Sequence, residues 1–378
     1  MRVMFFNEGN LGSHILGQGQ LDEAVRVGLS VTPGVDAHFA ELGALGRLGA
    51  AAASRPVPLL AERGLDFRTL RWHLVQSRRA RMQLGQALAG WAADVVHVHS
   101  QSVALTMGPR MQGAPVVLSV DATVRDWARM PAWSSAAGNS ELGAAPSGAL
   151  ERRALRRAPL VLAWTRWAAR AVERDAPGTN VTEHHPGLDL QRHRPAQRGE
   201  RELPRVLFVG GRFREKGGED LLDALGEDLG RTAELDLVTP ARVAERPGLR
   251  VHRLSPGDPR VLELQQQADL LCLPTHGDTN PWALLEAMAC GTPVVSSPVG
   301  AIAEMLDEGR AGVLVPHGDP RALGEAIRAL LGDPSRRAQL GASARARCEQ
   351  HYDARRQFPI LAERLRALCD RPAAEQHS

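Results

Sequence analysis

The single lysine of the chain, Lys216, stands among 45 arginines, four residues after Arg212 and just behind the glycine pair Gly210-Gly211. A guanidinium fork grips two oxygens at once and an ammonium acts as a compact point charge. The pair therefore suits a diphosphate, with Gly211 letting the backbone approach it. An exposed surface pair has the same i to i+4 spacing. A bias that replaced every other lysine would also have replaced a merely solvated one, which favours the binding reading. Farther along, Asp278 and Glu286 lie eight positions apart on either side of "TNPW". Asn280 reads as a helix N-cap, Pro281 as the first helical residue and Gly291 as the terminator. The first-turn amides of Trp282 and Ala283 would then turn partial positive charge toward a phosphate. Two carboxylates beside such a turn are placed to accept hydrogen bonds from sugar hydroxyls. Taken singly, Asp278 reads as a turn residue and Glu286 as a solvated helix acid.

Other residue types exclude more than they suggest. The four cysteines, Cys272, Cys290, Cys348 and Cys369, form no C-x-x-C pair and have no histidine at ligand spacing, so neither a metal site nor a disulfide framework is expected. A reducing cytosol is the expected compartment. A net charge of +3 is too balanced to point to nucleic acid. "MRVMFFNEGN" is too short an apolar run for a signal peptide, and no run approaches the roughly 18 apolar residues of a membrane span. His97 and His99 alternate within "DVVHVH" and are assigned to opposite faces of a strand, with His99, nearer the carboxyl end, the better site candidate.

These residues need elements to hold them. At 378 residues the chain fits two domains. The runs "RVMFF", "DVVHVH", "APVVLSV" and "PLVLAW" read as buried parallel strands, with helical spacing in "LDEAVRVGL" and from Arg68 to Ala92. A second series, "RVLFVG", "ELDLVT", "LRVHRL", "ADLLCLP", "TPVVSS" and "AGVLVP", begins after the proline-bracketed, charged segment 192–204. The expected organisation is α/β throughout: a doubly wound domain over 1–192, a linker at 193–204, a second such domain over 205–352, and a C-terminal helix and tail at 353–378, expected to pack back toward the first domain. Residues 132–149, small and polar, are expected to form a mobile loop. In open parallel sheets ligands bind outside the carboxyl ends of the strands, so the default site is a cleft between the two domains. The basic amphipathic stretch 68–92 would suit an anionic membrane. A solvated helix packing Leu70, Leu74, Leu84 and Leu88 inward explains it better.

Three stretches, "VLFVGGRFREKGGEDLLDAL", "ADLLCLPTHGDTNPWALLEAMACGTPVVSSPVG" and "AGVLVPHGDPRALGEAIRALLGDP", resemble the nucleotide-sugar domain of family 4 glycosyltransferases. "DVVHVHS", "APVVLSVDAT" and "HHPGLDLQRHRP" extend the resemblance upstream. It implies the GT-B fold, two facing Rossmann-like domains, and retaining, metal-independent transfer from a nucleoside diphosphate sugar without a further cofactor. By resemblance, Arg212 and Lys216 meet the donor diphosphate, Glu286 holds the ribose as second acid of the E-x7-E motif, and Asp278 stands near the donor sugar as the first. Asn280 and Pro281 replace the family's Phe-Gly, and proline has no amide to donate. Asp121 stands where the family has a histidine near the reacting sugar, and reads equally as a catalytic group, orienting a hydroxyl or acting as a base, or as a turn residue. Gly12, Ser13 and His14 are similar to the family's glycine-containing loop after strand one, which approaches donor phosphate. "LDLVTP" lacks the glycines that the family places near the base, leaving the base unassigned.

The expected partners are a nucleotide-sugar donor and an acceptor of unassigned class, saccharide, lipid-linked or small molecule. If it is lipid-linked, the protein would lie against the membrane's inner face. A catalytically silent nucleotide-sugar-binding subunit and an epimerase of the same fold are the alternatives. A dinucleotide oxidoreductase is disfavoured by the lack of G-x-G-x-x-G after strand one.

Overall fold

The computed structural model describes residues 1–8, 15–46, 67–130, 141–255 and 257–370, with single positions 49, 53, 55 and 132. The chain divides into two compact units, Met1–Gly187 with Arg355–Ser378, and Leu188–Ala354. The first unit holds strands β1 (Arg2–Asn7), β2 (Asp36–Glu41), β3 (Val95–His99), β4 (Arg110–Met111), β5 (Ala114–Val120), β6 (Val161–Ala163) and β7 (Val181–Glu183). The second holds β8 (Arg205–Val209), β9 (Glu234–Val238), β10 (Leu249–His252), β11 (Leu270–Leu273), β12 (Val294–Ser296) and β13 (Val313–Leu314).

In the first sheet the order is β2-β1-β3-β5-β6-β7, all parallel, with β4 antiparallel on β5. Every residue of β3 and β5 is buried, as befits strands covered on both faces. Val3, Phe5, Val95 and Val117 meet Val25 of the helix Ile15–Leu29 and Phe358, Leu361 and Leu365 of the helix Ala354–Cys369. The alternate residues Met4, Phe6, Val96 and Leu118 meet Ala80, Leu84, Leu88 and Leu155 of the helices Arg68–Gly90 and Glu141–Arg157. The period of two thus sorts one strand's side chains between two helix layers. The C-terminal helix belongs to the first unit by this packing. Gly28 makes room for it, since a Cβ there would stand 2.0 Å from Phe358 Cβ.

The second sheet runs β10-β9-β8-β11-β12-β13, entirely parallel. Three of its helices open on Asp-Pro: Asp258, Asp319 and Asp333 each cap a first-turn amide, and the following proline takes the position where no amide partner is needed.

Two segments differ from their sequence reading. Residues 141–149 of the expected loop belong to a helix, Glu141–Arg157, despite Pro146, because Ala144, Ser147, Glu151, Ala154 and Leu155 fall on one buried face. Positions 133–140 lie outside the described residues. The segment 193–204, read as a linker, lies within the second unit. Arg198 and Arg201 donate to the carbonyls of Gln266 and Gln267 at the end of the helix Pro259–Gln267, where carbonyls lack helical partners.

Candidate functional site

In the second sheet the strand order reverses between β8 and β11, and their carboxyl ends open on one crevice, the usual ligand position in such folds. The first wall is the segment after β8. Lys216 N donates to the Arg212 carbonyl at 2.9 Å, so the two cations share one side of a helical turn. At Gly211 a side chain would meet nothing within 4 Å, leaving open space toward a ligand, whereas Gly210 is filled by the Phe208 ring and Lys216 Cβ. Gly217 carries the turn into the helix Gly218–Leu225 at φ +77°, and a Cβ there would stand 2.0 Å from the Pro274 carbonyl oxygen. Only glycine permits both that φ and that approach.

The second wall follows β11. His276 N and Thr275 Oγ1 donate to the Glu215 carbonyl at 2.9 and 3.2 Å, and His276 Nε2 lies 2.8 Å from Asp220 Oδ2. These contacts tie the lysine turn to the edge of β11. Asp278 is nearly buried, and Lys216 Nζ donates directly to its Oδ2. The Asp278 backbone rests on Gly300, where a Cβ would stand 2.2 Å from the Asp278 carbonyl oxygen at φ +60°. The two residues assigned separately to diphosphate and sugar therefore form one ion pair.

The helix Trp282–Ala289 starts one residue later than expected. Pro281, at ψ 118°, is its N-cap, and Asn280 makes no capping bond. The missing proline amide falls before the first turn, so the amides of Trp282 and Ala283 keep the positions expected of them. Asn280 is 7% exposed and its Oδ1 has no partner among the described residues. Glu286 is also 7% exposed, not solvated, and accepts a 2.8 Å bond from Gln265 Nε2. Gln265, His276, Asp220 and the two glycines are components that sequence reading did not single out. The Gly-Gly after Lys216 was the one visible signal.

In the first unit, Asp121 lies half-buried at the carboxyl end of β5, followed by Thr123, which caps the helix Val124–Arg129. His97 and His99 do not face opposite sides. Two positions apart is a full pleat repeat, and their rings lie 4.2 Å apart beside Phe5. Burial lowers the pKa of His99 to about 4, and both its ring nitrogens lack partners among the described residues. Gly12, Ser13 and His14 lie outside the described residues. A cavity of about 460 Å³ is lined by Arg125, Arg152, Arg156, Arg174 and Glu151, among others. Glu151 accepts from the Val124 amide and Gln101 Nε2, and burial raises its pKa to about 7. Among the described residues no group of three His, Cys, Asp or Glu side chains is arranged to hold a metal, and no helix is long and apolar enough to cross a membrane.

Comparison with known families matches residues 31–192 to Glycosyltransferase Family 4 and residues 203–333 to Glycosyl transferases group 1. The chain belongs to the family 4 glycosyltransferases. Among relatives of this family 4 chain, D-inositol 3-phosphate glycosyltransferase 1 of Catenulispora acidiphila is 33% identical over 192 residues, 42% of this chain and 45% of that protein. The match thus spans less than half the length of that relative. Glycogen synthase of Mycobacterium tuberculosis is 29% identical over 280 residues, 70% of this chain and 66% of its own. Sucrose-phosphate synthase from Thermosynechococcus elongatus superposes with a TM-score of 0.74 at 17% identity, covering 97% of this chain and 98% of that one. HepE of Anabaena, solved with UDP-glucose, gives 0.67 at 16%, covering 97% and 100%. The fold of this family 4 glycosyltransferase is accordingly GT-B, built from two Rossmann-like units.

Proposed function

We propose that the protein is a retaining, metal-independent glycosyltransferase that moves a hexosyl group from a nucleoside diphosphate sugar to an acceptor held by the first unit. The observation that carries this reading is the switch-point constellation of the second unit: Arg212 and Lys216 on one turn after β8, Asp278 paired to that lysine after β11, and the helix Trp282–Ala289 that follows with the nearly buried Glu286 in it. Breaking the sugar C1–O bond leaves negative charge on the diphosphate, and cations with helix amides fixed in place stabilise that charge without reorganising. Without donor, Asp278 is the counter-ion of Lys216. Diphosphate takes over that role on binding, which frees the Asp278 carboxylate for sugar hydroxyls. The acceptor oxygen bonds to C1, and its proton passes to a departing diphosphate oxygen or to Asp121. HepE, solved with UDP-glucose, supports a uridine donor. Relatives named for inositol 3-phosphate and sucrose-phosphate support a polyol or sugar acceptor.

Thermal shift with a panel of nucleoside diphosphates and their sugars tests the site. One donor should stabilise the parent selectively, and Lys216→Ala and Glu286→Ala should abolish that stabilisation while the protein stays folded. Full donor affinity in both variants would sink the assignment. Asp121 keeps open a second reading, a subunit that binds donor without turning it over. Transfer by the parent that falls in Asp121→Ala supports the enzyme. Tight binding without turnover on a broad acceptor panel supports the silent subunit.

A further inference from the structure

The helices Pro259–Gln267 and Trp282–Ala289 flank β11, the first leading into that strand and the second out of it. Helical side chains lean toward their helix's N-terminus. In a parallel α/β sheet both helices begin at the carboxyl edge, so Gln265 and Glu286 both lean toward the ligand-binding edge. Gln265 starts deeper, six residues into its helix against four for Glu286, and its amide meets the carboxylate from beneath. Gln265 is 1% exposed, and its Nε2 donates to Glu286 Oε2 at 2.8 Å. Its backbone is held as well: Thr292 Oγ1 donates to the Gln265 carbonyl at 2.7 Å, and Arg198 reaches Thr292 Oγ1 at 3.3 Å. The other amide atom, Gln265 Oε1, is buried without a partner among the described residues. A buried glutamine with one polar atom unpaired costs stability, and its hydrogen bond to Glu286 is the interaction that accounts for an amide at this position.

We propose that Gln265 is a positioning residue that fixes the Glu286 carboxylate for the vicinal hydroxyls of a ribonucleoside diphosphate, and so sets the enzyme's preference for ribose over deoxyribose. This rests on the donor reading of Glu286 given above. Pinning one carboxylate oxygen fixes the plane in which the carboxylate can accept from sugar hydroxyls. A carboxylate without that support relaxes into other rotamers and loses its hold. Glutamine suits the position because its amide is a neutral donor. A lysine would attract the carboxylate away from the ligand, and a glutamate would repel it.

The test is the affinity of the full-length protein for the tightest-binding nucleoside diphosphate of a four-base panel and for its 2′-deoxy counterpart, in the parent and in Gln265→Met. Methionine is close in size but has no amide donor. The parent should prefer the ribo form, and the ratio should fall about tenfold or more in the variant, as loss of one charge-assisted hydrogen bond implies. Affinity for the 2′-deoxy form, which keeps one of the two hydroxyls, should fall less than affinity for the ribo form, which separates loss of positioning from loss of fold. A parent without ribose preference overturns the donor reading itself. A preferring parent whose ratio is untouched in Gln265→Met overturns the role of Gln265 alone. Equal loss of both ligands overturns it too, since the residue would then be structural.

Discussion

Lys216 and Asp278 neutralise one another in the ligand-free protein, and the physics of that pair explains why the position is lysine. The ammonium is compact enough to sit against a nearly buried carboxylate and still turn to a diphosphate. An arginine would bring a planar fork that binds a carboxylate through two bonds, favouring the resting pair over the exchange. Lys216→Arg should therefore keep the fold but lower kcat/KM for the donor by about tenfold or more. Sugar transfer at the parent rate would show that the lysine's survival in an arginine-rich chain was chance. Lys216 was legible in the sequence because it is the single lysine among 45 arginines, and Arg212, Asp278 and Glu286 were legible through their spacing and the family resemblance. Their pairing was not, since 62 residues separate Lys216 from Asp278 and no periodicity links them. Gln265 was hidden for a similar reason: in "LQQQAD" three identical neighbours carry no sign of which one faces the next helix.

At the scale of elements, the site depends on backbone approaches that glycine alone allows. Gly217 brings the lysine turn against Pro274, and Gly300 brings the following loop beneath Asp278. Gly217→Ala would place a Cβ in the left-handed region and within 2.0 Å of a carbonyl oxygen. The left-handed strain alone is about 1 to 2 kcal/mol. With displacement of the turn, the second unit should lose at least about 2 kcal/mol, and donor affinity should fall with it. Chemical denaturation with and without nucleoside diphosphate measures both. An unchanged midpoint would mean that the turn moves away at no cost, which would contradict the tight seat of Gly217 against Pro274. Buried strands were readable from their unbroken apolar runs. The edge strands β2 and β7 were not, because "DAHFAE" and "VTE" are half-exposed and too short or too polar to show a pattern. The helix over 141–157 was missed because Gly, Pro and Ser dominate its start, and its apolar face appears only once the sheet is there to receive it.

At the scale of the whole molecule, the first unit carries buried groups that tie its stability to pH. Burial lowers His99 from 6.5 to about 4 and His184 to about 3, and holds His97 well down. The unfolded chain takes up those protons first, so stability present above pH 6.5 is lost as pH falls toward the folded values. From pH 7 to pH 5 the loss is about 2 kcal/mol for each of His99 and His184. Glu151 runs the other way. Raised from 4.5 to about 7, it holds its proton longer in the folded state, and stability lost as pH rises through that window returns on acidification, again about 2 kcal/mol. Removing the offset with Glu151→Gln should steepen the acid decline of the first unit's melting temperature, and an equal slope in parent and variant would refute this balance. The sequence by itself determined the α/β class and the two strand series, because burial on both faces demands unbroken apolar runs, and it supplied the candidate residues for the proposed phosphate site through their spacing. Only the tertiary structure decided which of them meet: Lys216 with Asp278, Gln265 with Glu286, and His97 beside His99. These contacts come from strand order and helix packing, which join residues distant in the chain, and from a pleat whose period of two places alternate residues on the same face.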